Sequence, residues 1–359
     1  MKIALLSYST KPRGGVVHTL ALAEALAALG EDVTVWTLGR GGDAGFFRPV
    51  APAVRLRIVP FPDGPPEEAV GARILRSIAA LRDAFDPSPY DVVHAQDCIS
   101  ANAVDGRCVR TVHHIDHFTT PELAACHERA LVEPRARICV SRAVADELAA
   151  GWGLTAEVIP NGVAYDRFAA TDPAARANWR SLLGRYVLTI GGIEPRKGSL
   201  DLLEAYALLR IKHPGARLVI AGGETLFDYR DYRARWEARA AELDVRPVVL
   251  GQVRDAELPS LVAAAGAFAF PSVKEGFGLA AMEALAAGVP LVVRELPVLR
   301  EVFDGAARFA DTPRDLAAAL DAALTQDTPV HRAAGRALAA RHTWDSAARH
   351  HLAFYRSLG

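Results

Sequence analysis

The chain has 359 residues, 51% of them hydrophobic and 23% charged, with a formal net charge of −1 at pH 7. That length exceeds one average domain, and the apolar content is ample for packed cores. The near-zero charge removes any electrostatic reason to expect nucleic acid as a partner.

No basic block marks a membrane-surface helix, although transient membrane contact stays open. "KIALLSYS" is interrupted too early for a signal peptide or a spanning helix. Cys98, Cys108, Cys126 and Cys139 show no CxxC pairing, which suits reduced thiols in a cytoplasmic protein.

Apolar strands alternate with helical patterns almost throughout, the rhythm of an α/β chain with parallel sheets. In the first half the strand candidates are "KIALLSYS", "DVTVWTL", "VRLRIVP", "DVVHAQ", "VRTVHH" and "RICVS". Their near-continuous Val/Ile/Leu content predicts burial on both faces. "VVHTLALAEALAAL", closed by Gly30, is the helix between the first two. A second cycle runs through "YVLTIGG", "LDLLEAYALLRIKHPG", "ARLVIAGG", a charged helix, "RPVVLG", "DAELPSLVAAAG", "AFAFPS" and "PLVVR". With no short-period repeat, the pattern predicts two similar doubly wound domains, at 1–165 and 178–340. The joint falls in the Pro-, Gly- and Asp-rich "IPNGVAYDRFAATDPAA". The tail, 344–359, reads as a helix returning to the first domain, with Trp344, Leu352 and Tyr355 as packing residues. Ligands of such sheets bind outside the carboxyl ends of the strands.

Four stretches could carry chemistry. Gly14 and Gly15 stand just before a helix, where free N–H groups favour an anion; a tight turn is the plainer reading. No GxGxxG or Walker sequence is present. "TVHHIDHF" sets His113, His114, Asp116 and His117 at a strand end, as polar cleft residues or, less in keeping with known spacings, a metal site. In "EPRKGS", Arg196 and Lys197 lie beside a helix N-terminus, against its dipole. A diphosphate would relieve them, Arg gripping with its planar fork and Lys as a point charge, unless the loop is simply solvated. "VKEGFGLAAMEALAAGVP" puts Glu275 in a strand-to-helix loop and Glu283 about one turn into a helix rich in Ala, Leu, Met and Gly. No GxSxG elbow or local cysteine-nucleophile signature is present.

Taken together, these pieces resemble the retaining nucleotide-sugar glycosyltransferases of family four. The motifs are Gly14-Gly15, the T-x-H at Thr111 to His113, "VSRAVADEL", "VIPNGV", "EPRKG", "LVIAGG" and the E-x7-E of "EGFGLAAMEALAAGVPLVV". The texture is similar to that of an uncharacterised bacterial subfamily. The resemblance implies a GT-B fold, two Rossmann-like doubly wound domains facing across a cleft. It also implies transfer from a UDP- or GDP-type sugar to an acceptor hydroxyl, with no obligatory metal and no tightly bound cofactor.

Carried over by motif, the resemblance sets Glu275 by the donor sugar's hydroxyls and Glu283 on the ribose. Arg196 and Lys197 fall on the diphosphate, with Gly14 and Gly15 approaching it from the other domain. His113 falls near the reacting carbon, with His114 as runner-up. Gly223, Val253 and the backbone of Gly276, Phe277, Gly278 and Leu279 line the nucleotide. Two departures stand out: Gly192 where many relatives carry arginine, and Ala164 where an aspartate is common. A non-hydrolysing nucleotide-sugar epimerase shares the paired-domain architecture. A catalytically weak nucleotide-sugar-binding protein is the non-enzymatic alternative, and a nicotinamide oxidoreductase is disfavoured by the missing GxGxxG. The donor base and sugar, the acceptor (expected on loops 40–50 and 61–70) and the oligomeric state are not legible.

Overall fold

The computed structural model describes residues 1–65, 67–116, 118, 120–223, 229–326 and 328–359. Thirteen strands among them form two parallel sheets. The first contains β1 (Lys2–Leu6), β2 (Asp32–Arg40), β3 (Arg55–Phe61), β4 (Val92–Ala95), β5 (Val109–Val112), β6 (Ala136–Cys139) and β7 (Glu157–Val158), in the order β3-β2-β1-β4-β5-β6-β7. The second contains β8 (Tyr186–Ile190), β9 (Arg217–Ala221), β10 (Val248–Gly251), β11 (Ala267–Phe270), β12 (Leu291–Arg294) and β13 (Arg308–Ala310), in the order β10-β9-β8-β11-β12-β13. Each order reverses once, between β1 and β4 and between β8 and β11. Leu5 pairs with both Val35 and His94, and Phe268 with both Leu188 and Leu291. Both central pairs are buried, as parallel strands covered by helices must be.

Burial on both faces fails for β3, whose Arg55, Leu56 and Arg57 are exposed. It is the edge of its sheet, and two arginines there discourage further pairing. The strands β7 and β13 were not among the sequence candidates, being two and three residues long and too short to show a pattern.

The contacts divide the chain into Met1–Gly162 with Trp344–Gly359, and Val163–Thr343. The crossing at Gly162–Val163 falls within the expected joint, and residues 163–177 belong to the second unit rather than forming a spacer. Helix Tyr165–Ala169 buries Phe168 there, and helix Pro173–Leu183 packs on helix Leu258–Ala264, with Trp179 Nε1 donating to Ser260 Oγ at 3.2 Å. Ala164, in place of the common aspartate, offers no side-chain cap to the first of these helices.

In the first unit, helix Trp344–Ser357 packs along helix Gly14–Ala28. The Tyr355 hydroxyl is hydrogen-bonded to His94 Nδ1 at 2.6 Å, and His94 Nε2 to Thr111 Oγ1 at 2.7 Å, so a buried polar chain ties the last helix to β4 and β5. Among the described residues no helix is long and apolar enough to cross a membrane.

Candidate functional site

In the second unit, the loops after β8 and β11 flank the strand-order reversal. The chain leaving β8 makes one 3-10 turn, Pro195–Lys197, and enters helix Ser199–Lys212 through Gly198. Gly198 has φ +63°, and a Cβ there would clash with the carbonyl oxygen of Pro271 in the β11 loop. Only glycine satisfies both demands. Arg294, at the end of β12 and 9% exposed on its side chain, clamps the same place. Its Nε donates to Pro271 O at 2.8 Å, Nη1 to Asp311 O at 2.8 Å, and Nη2 to the Asp201 carboxylate. Val273 N donates to Arg196 O at 2.9 Å and closes the seam.

That seam gathers three of the sequence candidates. Glu275 Oε1 accepts from Lys197 Nζ at 2.5 Å and from Arg196 Nη1 at 3.1 Å. Arg196 Nη1 also donates to Lys274 O at 3.3 Å, and its Nη2 to Glu194 Oε1 at 3.3 Å. Burial holds the Lys197 ammonium below the usual lysine range; Glu275 opposes this and Arg196 adds to it. The sequence reading gave Glu275 and the two cations separate tasks, whereas here they form one ion cluster. It also missed Glu194, 7% exposed, whose only signal was a lone acid in "GGIEPRKG". With Gly192 bare, the cations at this strand end are Arg196 and Lys197.

After Glu275 the backbone turns into helix Leu279–Ala286. Gly278 has φ +99°, and a Cβ would lie 3.0 Å from the Phe303 ring. Gly276 and Phe277 are buried, and the Phe277 ring meets His342 edge-on at 5.7 Å. The phenyl group is thus an anchor, and what this turn offers a ligand is N–H groups without helical partners. Glu283 is the fifth residue of the helix, and no hydrogen bond to its carboxyl comes from the described residues. Burial pushes it up to about 7, with Arg167 opposing and Asp255 adding to the shift. Arg167 Nη2 and Asp255 Oδ2 pair at 2.8 Å. Both residues escaped the sequence reading, Arg167 because it lay in the supposed joint.

The ends of β9 and β10 bring in the remaining candidates. Gly222 N donates to Gly251 O at 2.8 Å, and a Cβ on Gly222 would clash with Gly191. Gly223 lies beside Gln252, and partly buried Val253 follows in the same loop. Residues 224–228 lie outside the described residues.

In the first unit, Gly14 and Gly15 open helix Gly14–Ala28, and a Cβ on Gly15 would lie 3.6 Å from the His113 ring. These candidates are therefore neighbours. His113 meets His18 edge-on at 4.8 Å, and its buried Nε2 has no hydrogen-bond partner. Burial, with Arg110 and His114 adding, holds His113 well below the usual histidine range, so the ring is neutral. His18, also missed, is hydrogen-bonded through Nδ1 to Asn161 Oδ1 at 2.9 Å. His114 Nε2 lies 3.2 Å from Asp116 Oδ2 within its own loop. Among the described residues no group of three metal-ligating side chains forms; His117 lies outside them. Burial pushes Cys98 and Cys139 up to about 12 and Cys108 to about 11, so these thiols are not poised nucleophiles.

Two doubly wound parallel sheets, with a cation–carboxylate cluster at a strand-order reversal, define a protein of the GT-B class. The glycosyltransferase family 4 model matches residues 12–167, and the group 1 glycosyl transferases model matches 178–345. A phosphatidyl-myo-inositol mannosyltransferase of Mycobacterium tuberculosis is 30% identical over 384 aligned positions, 96% of this chain and 93% of the relative. A GDP-mannose:cellobiosyl-diphosphopolyprenol alpha-mannosyltransferase of Komagataeibacter xylinus is 32% identical over 56% of this chain and 50% of its own. Anabaena Alr3699/HepE, solved in complex with UDP and glucose, superposes with a TM-score of 0.76 at 21% identity, covering 99% of both chains. The chain belongs to the family-4-like glycosyltransferases of GT-B fold.

Proposed function

We propose that the protein transfers a hexose, mannose being the first to test, from a nucleoside diphosphate sugar to an acceptor hydroxyl, with retention of anomeric configuration and no required metal ion. The observation that carries this reading is the Arg196–Glu275–Lys197 cluster. Two cations share one carboxylate oxygen at the carboxyl ends of β8 and β11. An arriving diphosphate takes over the guanidinium fork and the ammonium, and supports on Lys197 the charge that burial disfavours. As the bond between the anomeric carbon and the diphosphate oxygen lengthens, the same two cations stabilise the growing negative charge, the task a metal would otherwise perform.

Glu275, held by those cations, accepts hydrogen bonds from hydroxyls of the transferred sugar. Glu283 accepts the ribose diol, while Gly223, Val253 and the backbone of Gly276 to Leu279 line the nucleotide. Neutral His113 contacts the sugar near the reacting carbon, and Gly14 and Gly15 offer N–H groups to the diphosphate. The acceptor oxygen bonds to the anomeric carbon on the face the diphosphate leaves, and its proton passes to the departing phosphate oxygen. Atoms balance without a covalent enzyme intermediate. Mannose is placed first because two relatives are named mannosyltransferases, and one name specifies GDP-mannose. The UDP complex of the structural neighbour keeps UDP sugars in the same panel.

The test is a thermal-shift screen of GDP, UDP and their sugars, followed by turnover of the best donor and NMR of the product's anomeric proton. Stabilisation by one nucleotide series and a product with the donor's configuration are expected. An inverted product would end the retaining reading, and indifference to every nucleotide would end the donor assignment.

A further inference from the structure

Helix Gly14–Ala28 carries a buried histidine to which the donor reading gives no task, His18, 1% exposed. Its Nδ1 is hydrogen-bonded to Asn161 Oδ1 at 2.9 Å, and the Trp344 ring meets it edge-on at 5.3 Å. Asn161 and Trp344 stand where the chain leaves the first unit and where it returns. Burial, with His113 and His351 adding, holds His18 well below the usual histidine range, so the ring is neutral and has one proton. An amide oxygen can only accept, so that proton is on Nδ1, and Nε2 keeps a bare lone pair. This Nε2 is buried, and among the described residues it has no hydrogen-bond partner. A buried acceptor in that state costs free energy until a donor reaches it.

The surrounding histidines hold one donor. His351, 6.2 Å from His18 between ring centroids, donates its Nδ1 proton to Ala347 O at 2.7 Å, and burial keeps it neutral, so its Nε2 too has only a lone pair. His94 has both nitrogens engaged, by Tyr355 and Thr111. His113 is left, edge-on to His18 at 4.8 Å between centroids. Its Nε2 is turned towards the same helix, since a Cβ on Gly15 would lie 3.6 Å from both Nε2 and Cδ2. Gly15 and His18, three positions apart, share one helix face. Rings this close bring their nitrogens within hydrogen-bonding reach when either one turns. Catalytic hydrogen bonds commonly tighten in this way only once substrate is in place.

We infer that His18 is a positioning residue for the transfer reaction. Its Nε2 accepts a hydrogen bond from His113 Nε2–H, which fixes His113 in the tautomer whose bare Nδ1 accepts from a hydroxyl of the transferred sugar. The bonds run from Asn161 through His18 to His113, and each sets the proton of the next. Without the His18 acceptor the His113 proton can sit on either nitrogen, and only one arrangement presents a lone pair to the sugar. The inference rests on the transferase reading for the task of His113, whereas the tautomer is measured without turnover.

Isotope-labelled histidines and long-range proton–nitrogen correlation spectra report the tautomer of each ring. The resonances of His18 and His113 are identified by their loss in His18→Gln and His113→Gln. In the wild-type protein with GDP-mannose or UDP-glucose bound, His18 is expected as Nδ1–H and His113 as Nε2–H. His18→Leu should leave His113 as a mixture of tautomers and lower kcat by up to about 10²-fold, with little change in KM for the donor. His18→Gln, whose amide oxygen can accept the same proton, should recover most of that loss. Asn161→Leu should release the tautomer of His18 and that of His113 with it. A purely structural role for His18 predicts neither the change at His113 nor any advantage of Gln over Leu.

His113 found as Nδ1–H in the wild type, or an unchanged His113 tautomer in His18→Leu, overturns the inference. Melting temperatures of the same samples show whether the variants are folded, and where one is not, the wild-type spectrum decides. Those results with donor binding intact remove this inference alone. Indifference to every nucleotide sugar would remove the transferase reading, and the inference with it.

Discussion

Glu283 offers a measurement in which stability and ligand binding must agree. Its carboxyl is pushed from 4.5 up to about 7 by burial. A displacement of that size costs the ionised form about 3 kcal/mol in the folded state. The side chain is partly accessible to water, so about 2 kcal/mol is the expected measured cost. The folded-state value is raised, so the fold binds the proton more tightly than the unfolded chain does. The penalty is therefore absent below pH 4.5, grows between 4.5 and about 7, and is complete above 7. Glu283→Gln, which keeps the shape and removes the charge, should leave stability unchanged near pH 4.5 and raise it by about 2 kcal/mol at pH 8. For a unit of this size that is a rise in Tm of about 4–8 °C.

Binding should go the other way. A ribose diol donates to a carboxylate, so the nucleotide favours the ionised form and expels a proton near pH 6. Calorimetry of the preferred nucleoside diphosphate in two buffers of different ionisation heat counts that proton, and Glu283→Gln, which lacks it, corrects for the phosphate's own titration. An equal Tm shift at both pH values would refute the buried-carboxyl argument. Equal proton release by wild type and variant would refute the ribose contact.

Glu275→Gln should keep the fold and nucleotide binding yet lose most transfer, by about 10²-fold or more in kcat, because the amide no longer balances Arg196 and Lys197 or serves as a charged acceptor; unchanged turnover would exclude it from the sugar site. Lys197→Met should lower kcat/KM by a similar factor, with melting affected far less, and wild-type kinetics would remove it from the leaving-group role. Gly198→Ala should destabilise the second unit by about 1–3 kcal/mol, through its positive φ and the clash with Pro271; an unchanged denaturation midpoint would show that the seam yields at no cost. Transfer should survive EDTA, and loss of activity restored by a divalent ion would require a metal in the mechanism.

How much was legible in the sequence varied with how local the cause was. Strand and helix order, the GT-B class and the chemistry-bearing loops depend on contiguous residues. Apolar runs, glycines at turns and charges in otherwise apolar stretches announce themselves within a short window. The edge position of β3 and the two short strands did not, because exposure at a sheet edge is set by which neighbours exist, and two or three residues carry no periodicity. The same holds for residues 163–177, whose Asp and Pro content reads as part of a joint until Phe168 and the following Trp179 are seen packed in the second unit.

At the site, the sequence by itself supplied Glu275, Glu283, Arg196 and Lys197 as separate groups. Tertiary structure decided that Glu275 is the shared partner of both cations and that Glu194 and Arg294 hold the arrangement from adjacent strands. It also showed that Arg167 and Asp255, 88 positions apart, stand as a pair by Glu283. Charge–charge energies fall off with distance in space and are indifferent to distance along the chain, so groups separated by most of a domain become one electrostatic unit only after the strands have aligned them.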